Sequence, residues 1–139
     1  MKKLLVMLCV MLSITFTSFA SDWYWVGTDA VGDQWYIDNS SVYNHELTTS
    51  EIQGNAVLAQ NGLQALYYPY KVVWVKINKP DGSSINQRLK VIKNQKMALL
   101  SYVEYDRNGF VENSDTFQYP QESEIVPDTV SEAIYNLVY

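Results

Sequence analysis

The residue types that carry most enzymatic chemistry are scarce in this chain of 139 residues, which holds one histidine, His45, and one cysteine, Cys9. A zinc centre needs three or four nitrogen, sulfur or carboxylate ligands around one ion, and a lone histidine without thiolates does not supply them. His45 lies in Asn44-His45-Glu46, with no partnered nucleophile beside it, and reads as a surface or loop residue. The chain has no Gly-x-Ser-x-Gly elbow, no phosphate-binding loop and no dinucleotide fingerprint. Two acid pairs invite a glycosidase reading, Glu122 with Glu124 and Asp29 with Asp33. Any acidic chain contains such pairs, and the cleft that would separate two working carboxylates leaves no mark in sequence. Asp29-Ala30-Val31-Gly32-Asp33 is also too short for a calcium loop. The expectation is a protein without catalytic residues, cofactor or metal.

The chemistry that remains is that of contact surfaces. Trp23, Trp25, Trp35 and Trp74 could line a carbohydrate or peptide groove, but a core built from aromatic strands is the favoured reading, because such rings bury large areas. Tyr67, Tyr68 and Tyr70 are better candidates for exposed contacts, since tyrosine tolerates a wet interface. Charge is segregated. Apart from Lys2 and Lys3, every basic residue lies between Lys71 and Arg107, while residues 21–70 and 108–139 each carry six acids and no base. Lys71, Lys76, Lys79, Arg88, Lys90 and Lys93 are therefore the candidate face for an acidic protein or glycan. Cross-strand pairing with the acidic segments is the alternative use of the same charges. The overall acidity argues against a nucleic-acid partner.

Strands must position these residues. Trp23 to Thr28 and Gln34 to Asp38 read as two strands around the turn 29–33. Residues 44–66 lack alternation; Val57, Leu58, Ala65 and Leu66 suggest a short helix broken at Asn61-Gly62, or a loop. Residues 71–79 and 84–93 alternate cleanly around Pro80-Asp81-Gly82-Ser83, which predicts a hairpin with a basic outer face. Met97 to Tyr105, whose first half could also be helical, and Phe110 to Phe117 read as a second hairpin around Asp106-Arg107-Asn108-Gly109. After Pro127, Asp128 or Thr129 can cap a final helix, Glu132 completing a capping box from Thr129, with Val130, Ile134, Leu137 and Val138 on one face. This predicts an α+β fold, an antiparallel sheet of about six strands with a C-terminal helix packed on it. An open sheet leaves edges, through which a homodimer could form.

The N-terminus reads as an export signal. Lys2 and Lys3 precede the apolar run Leu4 to Leu12, and Ser18-Phe19-Ala20 offers a cleavage site. Ser13, Thr15, Thr17 and Ser18 break the run well short of the about 20 apolar residues a membrane anchor needs. Residues 1–20 are thus expected to be a signal peptide and residues 21–139 one soluble domain. Cys9 falls in the discarded part, without the preceding pattern of a lipoprotein, so the mature domain has neither disulfide nor thiol.

The ordered set of motifs resembles the surface-adhesin E family. It comprises Trp23-Tyr24-Trp25-Val26, then Trp35-Tyr36-Ile37-Asp38 running into Ser40-Ser41-Val42, then Val73-Trp74-Val75-Lys76 with Pro80-Asp81-Gly82, then Tyr105-Asp106-x-Asn108-Gly109, and finally Ile125 to Glu132 before the last helix. The resemblance spans nearly all of the chain after residue 20. It implies a curved antiparallel sheet carrying a C-terminal helix, and adhesion to host matrix and plasma proteins. Two features depart from the family pattern: the cysteine pair that members commonly carry is replaced by Lys93 to Lys96 and Leu137 to Tyr139, and the sequence offers no usable lipobox for the lipid anchor of the best-known members. The expected protein is an exported binding module of adhesin type that engages matrix proteins, plasma proteins or sulfated glycans. The alternative is a periplasmic protein that holds a small ligand or envelope partner in an aromatic groove. Periplasmic residence, release and surface association are all compatible with these signals.

Overall fold

The computed structural model describes residues 21–139, so the expected signal peptide lies outside the described residues. The chain runs through β1 (Trp23–Thr28), β2 (Gln34–Asp38), a 3-10 turn (Asn39–Ser41), β3 (Tyr43–His45) and α1 (Thr49–Gln60). It continues through β4 (Tyr70–Asn78), β5 (Ser84–Ile92), β6 (Lys96–Tyr105), β7 (Val111–Thr116), β8 (Glu122–Glu124) and α2 (Val130–Val138). The eight strands form one antiparallel sheet in the order β1-β2-β4-β5-β6-β7, with β3 added to β4 and β8 added to β6. With the C-terminal helix on one side, the α+β expectation holds, with two more strands than the sequence suggested.

The hairpin turns form for the reasons their sequences give. Gly82 and Gly109 take φ of +89° and +83°, which only glycine adopts without strain. Asp106 closes the second turn by accepting from the backbone N–H groups of Asn108 and Phe110. Asp29 does the same in the first turn for Val31 and Asp33, while its other oxygen accepts from the Trp35 indole N–H at 3.0 Å. That indole, followed by the backbone donors of Asp33, Val31 and Gly32, holds the Asp29 carboxyl below its usual range. Asp29, half of a candidate acid pair, is a structural turn residue.

The register assigns each strand residue to a face, because side chains alternate across the sheet. One face carries Ile37, Val73, Val75, Leu89 and Val91, all buried, and α2 closes over them with Ile134 and Val138. Val26, Trp35, Met97, Leu99 and Val130 surround this core. Leu137, expected on the same helix face, is instead 47% exposed. The Thr129 hydroxyl caps α2 by accepting from Glu132 N–H, but the Glu132 carboxylate returns to Asp128 N–H rather than to that of Thr129. The expected capping box is therefore half formed. Asp128 itself has a φ of 59°.

Residues 44–66 differ from the expectation more clearly. His45 ends a short strand, and α1 is an unbroken helix that stops where Asn61-Gly62 was expected to interrupt it. Thr48 and Glu51 form a complete capping box at its start. No residue of α1 is buried, and Val57, expected on its apolar side, is 57% exposed. The Asn55 side chain ties the helix to the returning chain, accepting from Leu66 and Tyr67 N–H and donating to the Tyr67 carbonyl.

Candidate functional site

The face of the sheet turned away from α2 carries the polar and aromatic side chains of alternate positions. One row across five strand pairings reads Trp25, Tyr36, Lys76, Asn86, Val103, Ser114. A neighbouring row pairs Trp74 with Arg88 and Arg88 with Ser101, while Trp23 stands beside Asp38 at the other end. Three of the four tryptophans therefore lie on this face, and only Trp35 joins the core. The core reading of the tryptophans is corrected to that extent. The cause lies in parity: Trp23, Trp25 and Trp74 fall out of phase with Ile37, Val73 and Val75.

At the far end this face is covered. Glu51, Leu66, Tyr67 and Tyr68 share a small cavity with Tyr70, Lys90, Ile92 and Glu122. Tyr67 is exposed, whereas Tyr68 and Tyr70 are half-buried; Tyr70 stacks on His45 at 4.4 Å, and Lys90 lies over the Tyr70 ring at 4.7 Å. Tyr67, Tyr68 and Tyr70 therefore do not form one exposed contact patch. His45 Nε2 lies 3.4 Å from Glu51, whose carboxyl is held low first by Thr48 N–H and then by the Thr48 hydroxyl and His45.

The six candidate basic residues do not converge on a single surface. Lys76, Arg88 and Lys90 share the face away from α2. Lys71 pairs with Val91 and belongs to the opposite face, where it donates to the Val138 carbonyl and lies 4.9 Å from the centre of the Tyr139 ring. Lys79 and Lys93 sit in the turns at the two ends of the β4–β5 hairpin. Lys90 is paired with Glu122 at 3.2 Å, and Lys96 with Glu124 at 3.6 Å. Both members of the Glu122/Glu124 pair are thus salt-bridge partners, Glu122 reaching across β6 to Lys90 and Glu124 pairing with Lys96 of β6 itself, and part of the charge segregation resolves into cross-strand pairing. Lys76 and Arg88 are left without an ion-pair partner among the described residues. Lys79 lines a polar crevice with Asp81, Asp106, Arg107 and Glu112. Ser83, aided by Lys79 and Arg107, holds the Asp81 carboxyl below its usual range there, so that crevice offers no net positive site.

Lys71 marks a locking point for the chain end. The Tyr139 hydroxyl donates to the Val91 carbonyl at 3.1 Å, with the Pro69 carbonyl 3.4 Å away. Burial, followed by the neighbouring Tyr135 and Glu46, pushes its phenol up from 10.0 to about 12. A pKa raised on folding contributes stability that is complete below pH 10 and lost as pH climbs toward 12. Urea unfolding midpoints measured across that interval are expected to fall, and Tyr139→Phe is expected to make the fall shallower.

Next to Lys76 and Arg88 the open face is hollowed. Ser21, Trp23, Asp38, Trp74, Asn86, Val103 and Tyr105 line a depression of about 360 Å³, near the lower end of the range of about 300–1,000 Å³ for small-ligand sites. Asp38, 7% exposed, accepts on one carboxylate oxygen from Asp22 N–H, Ser40 N–H and the Ser40 hydroxyl, which fixes the start of β1 and with it Trp23. Asn86 Oδ1 is buried and accepts no hydrogen bond among the described residues. Such an orphaned acceptor costs about 1–3 kcal/mol unless something donates to it. Lys76 Nζ lies 5.8 Å from the centre of the Trp23 ring.

Among the described residues, no group of three or more His, Cys, Asp or Glu could hold a metal ion. No helix there is long and apolar enough to cross a membrane. In comparison with known proteins, the chain matches no family model, no curated protein and no solved structure.

Proposed function

We propose that this chain is an exported, non-enzymatic binding protein of adhesin type that engages an acidic macromolecule through the face of its sheet opposite α2. The observation that carries this reading is the pair Lys76 and Arg88, cationic and without ion-pair partners among the described residues, set among Trp23, Trp25, Tyr36 and Trp74. Aromatic and arginine side chains are the types that dominate binding energy at interfaces. The N-terminal segment and the resemblance to the surface-adhesin E family favour export and adhesion to matrix or plasma proteins or to sulfated glycans. The site of action is then the periplasm, the cell surface or the surrounding medium.

The test is a solid-phase assay against matrix proteins, plasma proteins and heparin across a salt series. Saturable binding that weakens with salt is expected, because exposed charges are screened beyond about 10 Å at 0.1 M. Lys76→Glu/Arg88→Glu is expected to weaken it by roughly tenfold or more. Binding indifferent to both salt and the double variant would contradict the assignment of the face. A second reading, a small ligand or envelope partner held by the aromatic groove, is favoured by the hollow between Trp23, Trp74 and Tyr105. It predicts a tryptophan fluorescence change that salt does not alter. Self-association would use β1, which carries no charge, rather than β7 with Glu112 and Asp115.

A further inference from the structure

The hollow on the open face combines flat rings, an unsatisfied acceptor and two adjacent cations. We infer that its ligand is an acidic polysaccharide, one sugar ring lying among Trp23, Trp74 and Tyr105 and its anionic substituent between Lys76 and Arg88. This rests on the open-face reading above and narrows the partner to a glycan.

A pyranose has two kinds of surface. Its C–H face is apolar and flat enough to lie on an indole or phenol ring, which gains contact area at little entropic cost. Its rim of hydroxyls both donates and accepts hydrogen bonds. Asn86 lines the hollow, and its Oδ1, turned inward and buried, has no partner; a half-turn of the amide presents that oxygen to the rim of a bound ring. A sulfate or carboxylate cannot donate to it, whereas a ring hydroxyl can. Lys76 stands directly across from Asn86, and Arg88 directly across from Trp74. The two cations are therefore diagonal neighbours on adjacent strands, about 7–8 Å apart at the backbone, close enough for both to reach one anionic group. Asp38 also lines the hollow; three hydrogen bonds from its own chain converge on its Oδ1, and its single charge is outnumbered by Lys76 and Arg88 on the same face. A run of acidic residues would meet the two cations equally well but brings no flat apolar ring surface for an open, shallow hollow.

The experiment is a tryptophan fluorescence titration of the purified protein with three probes at fixed salt: a heparin hexasaccharide, a neutral glucose hexasaccharide and hexaglutamate. The heparin fragment is expected to change the emission saturably, with the neutral sugar binding more weakly and hexaglutamate weakest. Asn86→Ala is expected to weaken heparin binding by about three- to tenfold while leaving hexaglutamate unaffected. Thermal melting checks the fold of each variant. Lys76→Gln/Arg88→Gln provides a second route should Asn86→Ala melt early, and is expected to erase the preference for the heparin fragment over the neutral sugar. Equal response to hexaglutamate and the heparin fragment, both untouched by Asn86→Ala, would overturn the glycan inference and leave the open-face reading standing. An unchanged spectrum with the heparin fragment would overturn the inference too, and the matrix-protein series would then decide the broader reading by itself.

Discussion

Replacing Ile134 by alanine is expected to lower the free energy of unfolding by about 2–5 kcal/mol. Ile134 is 1% exposed and lies against Ile37, Val73, Val75, Leu89 and Val91. The cost has two parts, the transfer energy of the lost methyl and methylene groups and the cavity they leave. The helix that carries Ile134 has nine residues, below the about 12–15 at which an isolated helix becomes even marginally stable in water. It is helical because it is docked, and Ile134 and Val138 are its buried anchors. Urea unfolding followed by tryptophan fluorescence and by circular dichroism checks this. The midpoint is expected to drop, and the slope as well if part of the population undocks α2 before global unfolding. Leu137→Ala is the control, with little effect expected because that side chain is half exposed. Similar midpoints for the two variants would refute this account of the core.

The second large effect is expected at Asp38. Its carboxylate gathers Asp22 N–H, Ser40 N–H and the Ser40 hydroxyl, and its own carbonyl accepts from the Ser41 hydroxyl, which in turn accepts from Trp74 N–H. Asp38→Ala strands two backbone donors in a half-buried place. A hydrogen bond to a charged group contributes about 1.5–3 kcal/mol, so a loss of about 3 kcal/mol is expected. Asp38→Asn keeps one acceptor oxygen and should lose about half as much. The structural consequence is local, since the start of β1 loses its anchor and Trp23 its fixed position on the open face. Thermal unfolding measures the first effect and the Trp23 indole resonance the second. An Asp38→Ala protein as stable as the wild type would show that this network contributes nothing.

Much of the sheet was legible because its period is short and its turns are chemical. Alternation from Lys71 to Lys93, broken only by Pro80-Asp81-Gly82-Ser83, specified the central hairpin, whose register in the structure runs from Tyr70↔Ile92 to Asn78↔Ser84. The short strands β3 and β8 were not legible, since three residues carry too little pattern to stand out. Thr48-x-x-Glu51 is a capping signature that marks the start of α1, yet α1 shows no apolar stripe to support it. The candidate site was half legible. The basic segment was visible, but grouping charges by segment rather than by parity put Lys71 with Lys76, although it shares its phase with Val73, Val75 and Ile77. The pairing of Lys90 and Lys96 with Glu122 and Glu124 depends on a return of the chain to β6 that no local pattern announces. The unpartnered Asn86 oxygen is a product of packing and leaves no trace in sequence.

The central claim is that partners bind on the face opposite α2, and the four indole N–H groups report on it directly. Trp23, Trp25 and Trp74 belong to the open face, while Trp35 lies against the core on the other side, its indole bonded to Asp29. Trp35 is thus an internal control. In a nitrogen-15 heteronuclear correlation spectrum recorded during titration with a heparin hexasaccharide, the account predicts shifts for Trp23, Trp25 and Trp74 and for the backbone amides of Lys76, Asn86 and Arg88, with Trp35 and α2 unmoved. Shifts confined to Trp35, α2 or the turns at Lys79 and Lys93 would contradict it.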